Sequence, residues 1–203
     1  MPGQLYVISG PSGVGKSTII KILRERVDGL GYSISHTSRR PRPGERNGVE
    51  YHFVNPETFE GMIEKGAFVE WARVYDHFYG TAFTSLEDQV NRDLDVLLDL
   101  DPQGGGRIRE AFPGSILIFI LPPSPQALEE RLRGRATEDE GVIRARLEKA
   151  RREIRECLHY DYLIFNLDLG RAVTEAASII TADRCRKVRQ LPKLEKTFDL
   201  CPR

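Results

Sequence analysis

Several features are scarce or missing in this 203-residue chain, and each absence closes off a class of function. Cysteine is rare. Cys157, Cys185 and Cys201 are too scattered for a disulfide framework, and no pair has the short spacing of a zinc site or a redox motif, so a reducing compartment is expected. No apolar stretch approaches the length of a membrane span, and Met1-Pro2-Gly3 runs into an apolar segment without a basic-then-apolar leader. The expectation is a cytoplasmic protein, neither exported nor embedded. Net charge is also missing: 30 Lys and Arg stand against 30 Asp and Glu. That balance argues against a general nucleic-acid or membrane surface and leaves any cationic function to local clusters. There is no repeat at solenoid spacing and no low-complexity tract beyond short charged patches. The length fits one compact unit with room for an inserted lid or small subdomain.

What the chain does have is glycine in one informative place. Gly10-Pro11-Ser12-Gly13-Val14-Gly15-Lys16-Ser17 fills the phosphate-loop template G-x-x-x-x-G-K-[ST] and follows the apolar run Leu5 to Ile8. Gly10, Gly13 and Gly15 let the backbone curl so that N–H groups point inward, and Thr18, Ile19 and Ile20 continue into a helix whose start favours an anion. Lys16 would reach the β- and γ-phosphates of a nucleoside triphosphate, and the Ser17 hydroxyl would ligate the magnesium ion bridging them.

The rest of the pattern supports an α/β fold. Short, nearly continuous apolar runs at Leu5 to Ile8, Val96 to Leu100, Ile116 to Leu121 and Tyr162 to Phe165 suit strands of a parallel sheet buried on both faces. Helical stretches alternate with them at Ser17 to Val27, Gln103 to Ala111 and Pro125 to Arg133, the last with Ser124 as N-cap and Pro125 in the first turn. Ser33 to Tyr79 breaks the alternation. Its strand-like pieces Ser33 to Thr37, Val49 to Val54 and Phe68 to Tyr75, with a short helix after Pro56, read as an inserted subdomain of mixed strands. Gly134 to Glu140 reads as a mobile lid loop, and Ile143, Leu147, Ala150, Ile154 and Leu158 as one apolar helix face. The expected boundaries are a core of 1–32, 82–125 and 159–190, a subdomain of about 33–81, a lid of about 126–158 and a basic tail of 191–203. The tail beyond Asp183 is rich in Lys and Arg and is taken as a solvated helix end rather than a nucleic-acid patch.

A phosphate loop specifies a donor but not an acceptor. The segment Arg39-Arg40-Pro41-Arg42-Pro43-Gly44-Glu45 places three arginines within four positions on a proline-stiffened loop. Planar guanidinium groups suit a doubly charged phosphate, while an exposed basic turn is the plainer alternative. Asp99 and Asp101, two apart at the end of an apolar run, are expected on one side of a strand at its C-terminal edge, where open α/β sheets bind ligands.

Together with these features, Ser35-His36-Thr37-Ser38-Arg39, Tyr51-His52-Phe53, Phe68-Val69-Glu70, Tyr79-Gly80-Thr81, Asp99-Leu100-Asp101-Pro102-Gln103-Gly104, Arg131-Leu132-Arg133-Gly134-Arg135 and Tyr162 to Asn166 resemble the guanylate kinase family. The resemblance runs from about Leu5 to about Cys185, with the motifs in the family's order. It implies ATP-dependent, magnesium-assisted phosphorylation of GMP, with dGMP as a further acceptor, in purine nucleotide metabolism and GTP supply. ATP and GMP are then the partners, with no nucleic acid or membrane, in a monomer or homo-oligomer. It further implies that Arg39, Arg42, Tyr51 and Tyr79, with Glu45 in the same motif, hold the GMP phosphate. Ser35, Glu70, Thr81 and Asp101 would surround guanine, whose N1–H and N2 amine a carboxylate can accept. Arg135 and Arg146 would close over the transferring phosphoryl group, Arg131 and Asn166 would lie near the adenine of ATP, and Asp99 is a candidate for an outer contact to magnesium or its waters. No histidine is needed as a base, because the acceptor phosphate is already ionised, so His36, His52, His77 and His159 are expected to be structural or on the surface. The chain departs from the family pattern at Ser38 (usually Thr), Phe78 (often Tyr), Ala136 (commonly Gly) and Leu167 (usually Asp). Two other classes remain in view: a phosphopeptide-binding scaffold module of this fold, and a P-loop kinase for a phosphorylated sugar.

Overall fold

The computed structural model describes residues 3–74, 76–90, 94–133 and 140–199. In chain order the elements are β1 (Leu5–Ser9), α1 (Lys16–Arg26), β2 (Leu30–Tyr32), β3 (His36–Thr37), β4 (His52–Phe53), α2 (Pro56–Glu64), β5 (Phe68–Val74), β6 (His77–Ala82), α3 (Phe83–Val90), β7 (Asp95–Asp99), α4 (Pro102–Ala111), β8 (Ile116–Leu121), α5 (Pro125–Arg133), α6 (Glu140–Arg155), a 3-10 turn (Glu156–His159), β9 (Tyr162–Phe165), α7 (Leu169–Arg184) and α8 (Lys187–Phe198).

Five strands form a wholly parallel sheet in the order β2-β7-β1-β8-β9. Every residue of β1 and β8 is buried, which is why these strands read as unbroken apolar runs. Alternation along β1 divides the core in two: Tyr6 and Ile8 pack with Ile19, Leu23, Ala172, Ala176 and Ile180 from α1 and α7, while Leu5 and Val7 pack with Leu86 and Ile108 from α3 and α4. The register of β1 on β7 sets Ile8 opposite Asp99, so the loop leaving β1 emerges beside the end of β7.

The second sheet is mixed, in the order β4-β3-β6-β5. Its small core is aromatic, with Phe59 of α2 stacked on Phe68 and Phe78 at ring-centroid distances of 4.4 and 5.3 Å. Asn55 starts α2 by accepting from the Thr58 N–H at 2.7 Å, with Pro56 following in the first turn.

Several expectations are corrected. The sheet gains β2, and the subdomain gains β6, which pairs with both β3 and β5. The expected strands Ser33 to Thr37 and Val49 to Val54 shrink to two residues each. Tyr75, at the end of the third, lies outside the described residues, as does most of the proposed lid loop, including Arg135 and Ala136. The apolar face of α6 stops short of Leu158, because the helix ends at Arg155 and the 3-10 turn swings Leu158 out to 82% exposure. Nor is the basic C-terminal segment simply solvated. Arg189 reaches back to the Tyr6 hydroxyl (3.0 Å) and to the carboxylates of Asp183 and Asp95 (2.5 Å each), and Arg184 also binds Asp95 at 2.7 Å. Both carboxylates are buried, so these arginines neutralise charges that would otherwise be costly to hold there.

Candidate active site

The loop between β1 and α1 takes up the shape its glycines suggest. Gly15 caps α1 in the left-handed region at φ 95°, and a Cβ there would also come within 2.7 Å of the Asn166 side chain. Asn166, itself buried, donates from Nδ2 to the Val14 carbonyl at 2.7 Å. Arg131 of α5 donates to the carbonyls of Val14 (3.3 Å) and Asn166 (3.4 Å). The loop is therefore braced from behind by the end of β9. On its open side Lys16 Nζ lies 2.8 Å from Asp99 Oδ1 and donates to the Leu100 carbonyl at 3.0 Å.

One cavity of about 440 Å³ joins this loop to the second sheet, lined by residues 10 to 18 together with Ser35, Arg42, Tyr51, Glu70, Tyr79, Asp99 and Asp101. Asp101 does not share a strand with Asp99 as expected, because β7 ends at Asp99. Asp101 instead caps α4, accepting from the Gly104 N–H at 2.8 Å, and the turn still delivers both carboxylates to the same cavity.

At the acceptor end, Glu70 of β5 is 6% exposed and accepts from the Thr81 hydroxyl at 2.7 Å. Burial pushes its carboxyl up to about 6, with the nearby Asp101 charge adding to the rise and the Thr81 hydrogen bond opposing it. Above that pH it is a desolvated carboxylate facing an open cavity. Arg39 and Glu45 stand behind the lining. Glu45 accepts from Arg39 Nη2 at 2.9 Å and from the Arg42 backbone N–H at 2.7 Å, so it shapes the arginine loop instead of facing the cavity. The Arg39 guanidinium lies 5.6 Å from the centre of the Tyr51 ring, and Tyr51 and Tyr79 meet edge to face at 5.8 Å.

Two charged lining residues escaped sequence reasoning. Lys149 and Glu153 of α6, one helical turn apart with Nζ and Oε1 at 3.5 Å, line the same cavity. Their i, i+4 spacing beside an apolar helix face was the available signal. Arg146 of the same helix is half-buried and is not among the lining residues. Arg133 is engaged on the surface with Glu129 and Glu140, and Arg144 is exposed. His36 and His52 lie with ring centroids 4.7 Å apart within the second sheet, and burial lowers the His36 pKa to about 4. None of the four histidines lines the cavity.

The family model for guanylate kinase matches residues 2–183. A guanylate kinase of Syntrophotalea carbinolica is 48% identical over 98% of this chain and 94% of its own length. Another, from Geobacter metallireducens, is 42% identical over 98% of each. The crystal structure of guanylate kinase from Anaplasma phagocytophilum, 33% identical, superposes with a TM-score of 0.78 over 98% of this chain and 97% of its own. The chain belongs to the guanylate kinase family. For a member of that family, the net charge of the cavity is notable: Lys16, Arg42 and Lys149 face Glu70, Asp99, Asp101 and Glu153. Before substrates arrive the lining is not cationic, so two polyanionic nucleotides must recruit positive charge from outside it. A serine hydroxyl at the start of α1 and a carboxylate at the end of β7 offer the hard oxygen donors that suit a divalent cation.

Proposed function

We propose that this chain transfers the γ-phosphoryl group of ATP to the phosphate of GMP, giving ADP and GDP. The observation that carries this reading is the buried Glu70 carboxylate, held from behind by Thr81, lining the cavity formed by the phosphate loop. Guanine presents N1–H and an N2 amine on one edge, and both can donate to the Glu70 carboxylate. Adenine presents an acceptor at N1, which that carboxylate repels and which would leave a buried polar group unpaired. The Ser35 hydroxyl and Asp101 complete the base site, with Thr81 acting through Glu70, whose carboxylate it holds, while Arg39, Arg42, Tyr51 and Tyr79 hold the acceptor phosphate.

The loop amides at residues 10 to 18 and the start of α1 hold the donor phosphates, and Lys16 exchanges its contact with Asp99 for the β- and γ-phosphate oxygens. Ser17 and Asp99, directly or through water, would hold a magnesium ion, which supplies charge neutralisation between the β- and γ-phosphates. The acceptor oxygen is already ionised at neutral pH, so no residue needs to remove a proton. Repulsion between two anions is the barrier, and Lys16 with Arg39, Arg42, Arg135 and Arg146 offsets it at a loose, in-line transition state. On the donor side, Arg131 and Asn166 brace the loop where the nucleoside leaves it.

A coupled ADP-release assay offering GMP, dGMP, AMP and no acceptor tests the reading. Release that depends on GMP or dGMP and falls by orders of magnitude with AMP is expected. A rate insensitive to the acceptor would overturn it.

A further inference from the structure

Lys149 and Glu153 line the cavity, yet the phosphoryl-transfer reading gives them no task. The helix sets their direction. Leu147, Ala150 and Ile154 of α6 pack against Leu128 and Leu132 of α5, so the apolar stripe is held down and the pair, one turn apart beside it, is turned toward the cavity. Lys149 Nζ lies 3.5 Å from Glu153 Oε1, and the Glu153 side chain is only 14% exposed. Across the cavity runs β5, which presents every second residue, Glu70, Ala72 and Val74. Ala72, Val74, Asp101, Lys149 and Glu153 also line an adjoining cavity of about 440 Å³ to which the phosphate loop contributes nothing. The pair therefore stands toward the Asp101 side of the site. Burial raises the Glu153 carboxyl above the usual carboxylate range, Lys149 and Lys16 oppose that rise and the Asp101 charge adds to it, so Glu153 is within reach of both the base end and the donor end.

The chemistry of the pair selects its ligand. With guanine on Glu70, Ser35 and Asp101 and the phosphate on Arg42, Tyr51 and Tyr79, the ribose that joins them crosses the middle of the same cavity. A desolvated carboxylate repels phosphate and suits a hydroxyl donor. An ammonium and a carboxylate 3.5 Å apart match a vicinal diol, one hydroxyl donating to the carboxylate and its neighbour accepting from the ammonium. We propose that Glu153 accepts from the 2′-hydroxyl of the GMP ribose and Lys149 donates to the 3′-hydroxyl, so that Glu153 sets a preference for GMP over dGMP. The proposal rests on the phosphoryl-transfer reading above and adds a contact to that same site. A deoxyribose leaves the Glu153 carboxylate without its hydroxyl partner, while Lys149 still neutralises it, so dGMP is disfavoured without being excluded.

Titration calorimetry of GMP and dGMP into the full chain reads binding without turnover, and initial rates at saturating ATP read the reaction. The parent should bind GMP about tenfold more tightly than dGMP, as expected for one hydrogen bond to a charged group. Glu153→Ala should bring the two affinities within about twofold of each other, whereas Glu153→Gln, which keeps an acceptor oxygen, should retain most of the preference. Equal affinities in the parent, or a ratio that Glu153→Ala leaves unchanged, overturn the proposal; a merely structural role would weaken both acceptors by the same factor. Lys149→Ala should weaken GMP and dGMP together, because the 3′-hydroxyl is common to them, and unchanged affinities there overturn the part given to Lys149. ATP carries a vicinal diol as well. The ratio of KM for ATP to KM for dATP should be the same in the parent and in Glu153→Ala, and a change confined to that ratio would assign the pair to the donor ribose and overturn the proposal. Tighter binding of GMP than dGMP without phosphoryl transfer would leave this contact standing and overturn the kinase reading instead.

Discussion

Replacing Glu70 with glutamine should stabilise the fold and damage the acceptor site, and the two effects have different pH signatures. A carboxyl raised from 4.5 to about 6 by burial is disfavoured in its ionised form by about 2 kcal/mol. Below pH 4.5 the group is protonated in both folded and unfolded chains and carries no such cost. Between there and pH 6 the unfolded chain ionises first, so stability is lost as pH rises, and above 6 the whole cost is present. Glutamine never ionises, yet it keeps an oxygen to accept from Thr81. Urea unfolding should therefore find Glu70→Gln more stable than the parent by about 2 kcal/mol at pH 7.5 and about equal to it at pH 4. Function moves the opposite way. The amide would turn donors toward the guanine N1–H and N2 amine, removing charge-assisted hydrogen bonds worth about 1.5–3 kcal/mol, so KM for GMP should rise by about one to two orders of magnitude. KM for ATP should hold, because Glu70 lies on β5, away from the phosphate loop. In the parent, KM for GMP should also climb more steeply as pH falls below about 6 than in the variant, where only the GMP phosphate, itself titrating at about 6, loses charge. A stability difference constant from pH 4 to 7.5, or an unchanged KM for GMP, would refute the reasoning.

Lys16→Ala should lower kcat by about a thousandfold while leaving the circular dichroism spectrum intact, since among the described residues its partners are Asp99 and the Leu100 carbonyl; full turnover would remove it from the donor site. Arg189→Ala leaves two buried carboxylates short of a partner and should cost about 3–5 kcal/mol in urea unfolding at pH 7. Burial alone would raise the Asp95 pKa, but the Gln4 N–H, Arg184 and Arg189 outweigh it and hold the group below the usual carboxylate range. The stability it contributes is thus present above that range and lost as pH falls through the depressed value, so the penalty should shrink in acid; a loss within 1 kcal/mol of zero at pH 7 would show α8 to be loosely attached. Gly104→Ala should improve helix propensity in α4 by up to about 1 kcal/mol. Its new Cβ would sit 3.0 Å from Glu70 Oε2, so KM for GMP should rise by about tenfold with no loss of stability, and the opposite pairing would refute the contact.

The donor half of the site was legible because its determinants are local. Loop, lysine and helix start lie within nine consecutive residues, and the strand before them is buried on both faces, leaving an apolar run that cannot be mistaken for alternation. The acceptor half is built differently. β3 and β4 are two residues long, too short for any periodicity, and β6 reads His-Phe-Tyr-Gly-Thr-Ala with no alternating pattern, although it lies inside the second sheet and carries Tyr79 and Thr81. Only the resemblance to a family pointed to Glu70, because what makes it unusual is burial against Thr81, eleven residues away across a strand pair.

Charge was misread for a related reason. Arg189 looks like any other basic residue in a charged tail, and its partners Tyr6, Asp95 and Asp183 come from three separate elements that meet only in the folded chain. Asp101 is the instructive case, since the needed signal was present: aspartate followed by proline is a helix start, and reading it that way would have ended the strand at Asp99. Strand parity and capping both place the two carboxylates near one another, but capping commits an Asp101 oxygen to the Gly104 N–H and leaves the other free for a ligand. On the proposed reading that division suits Asp101 to be a fixed acceptor for a base, and Asp99, paired among the described residues with the mobile ammonium of Lys16, to be the carboxylate that substrate phosphates would release toward a cation.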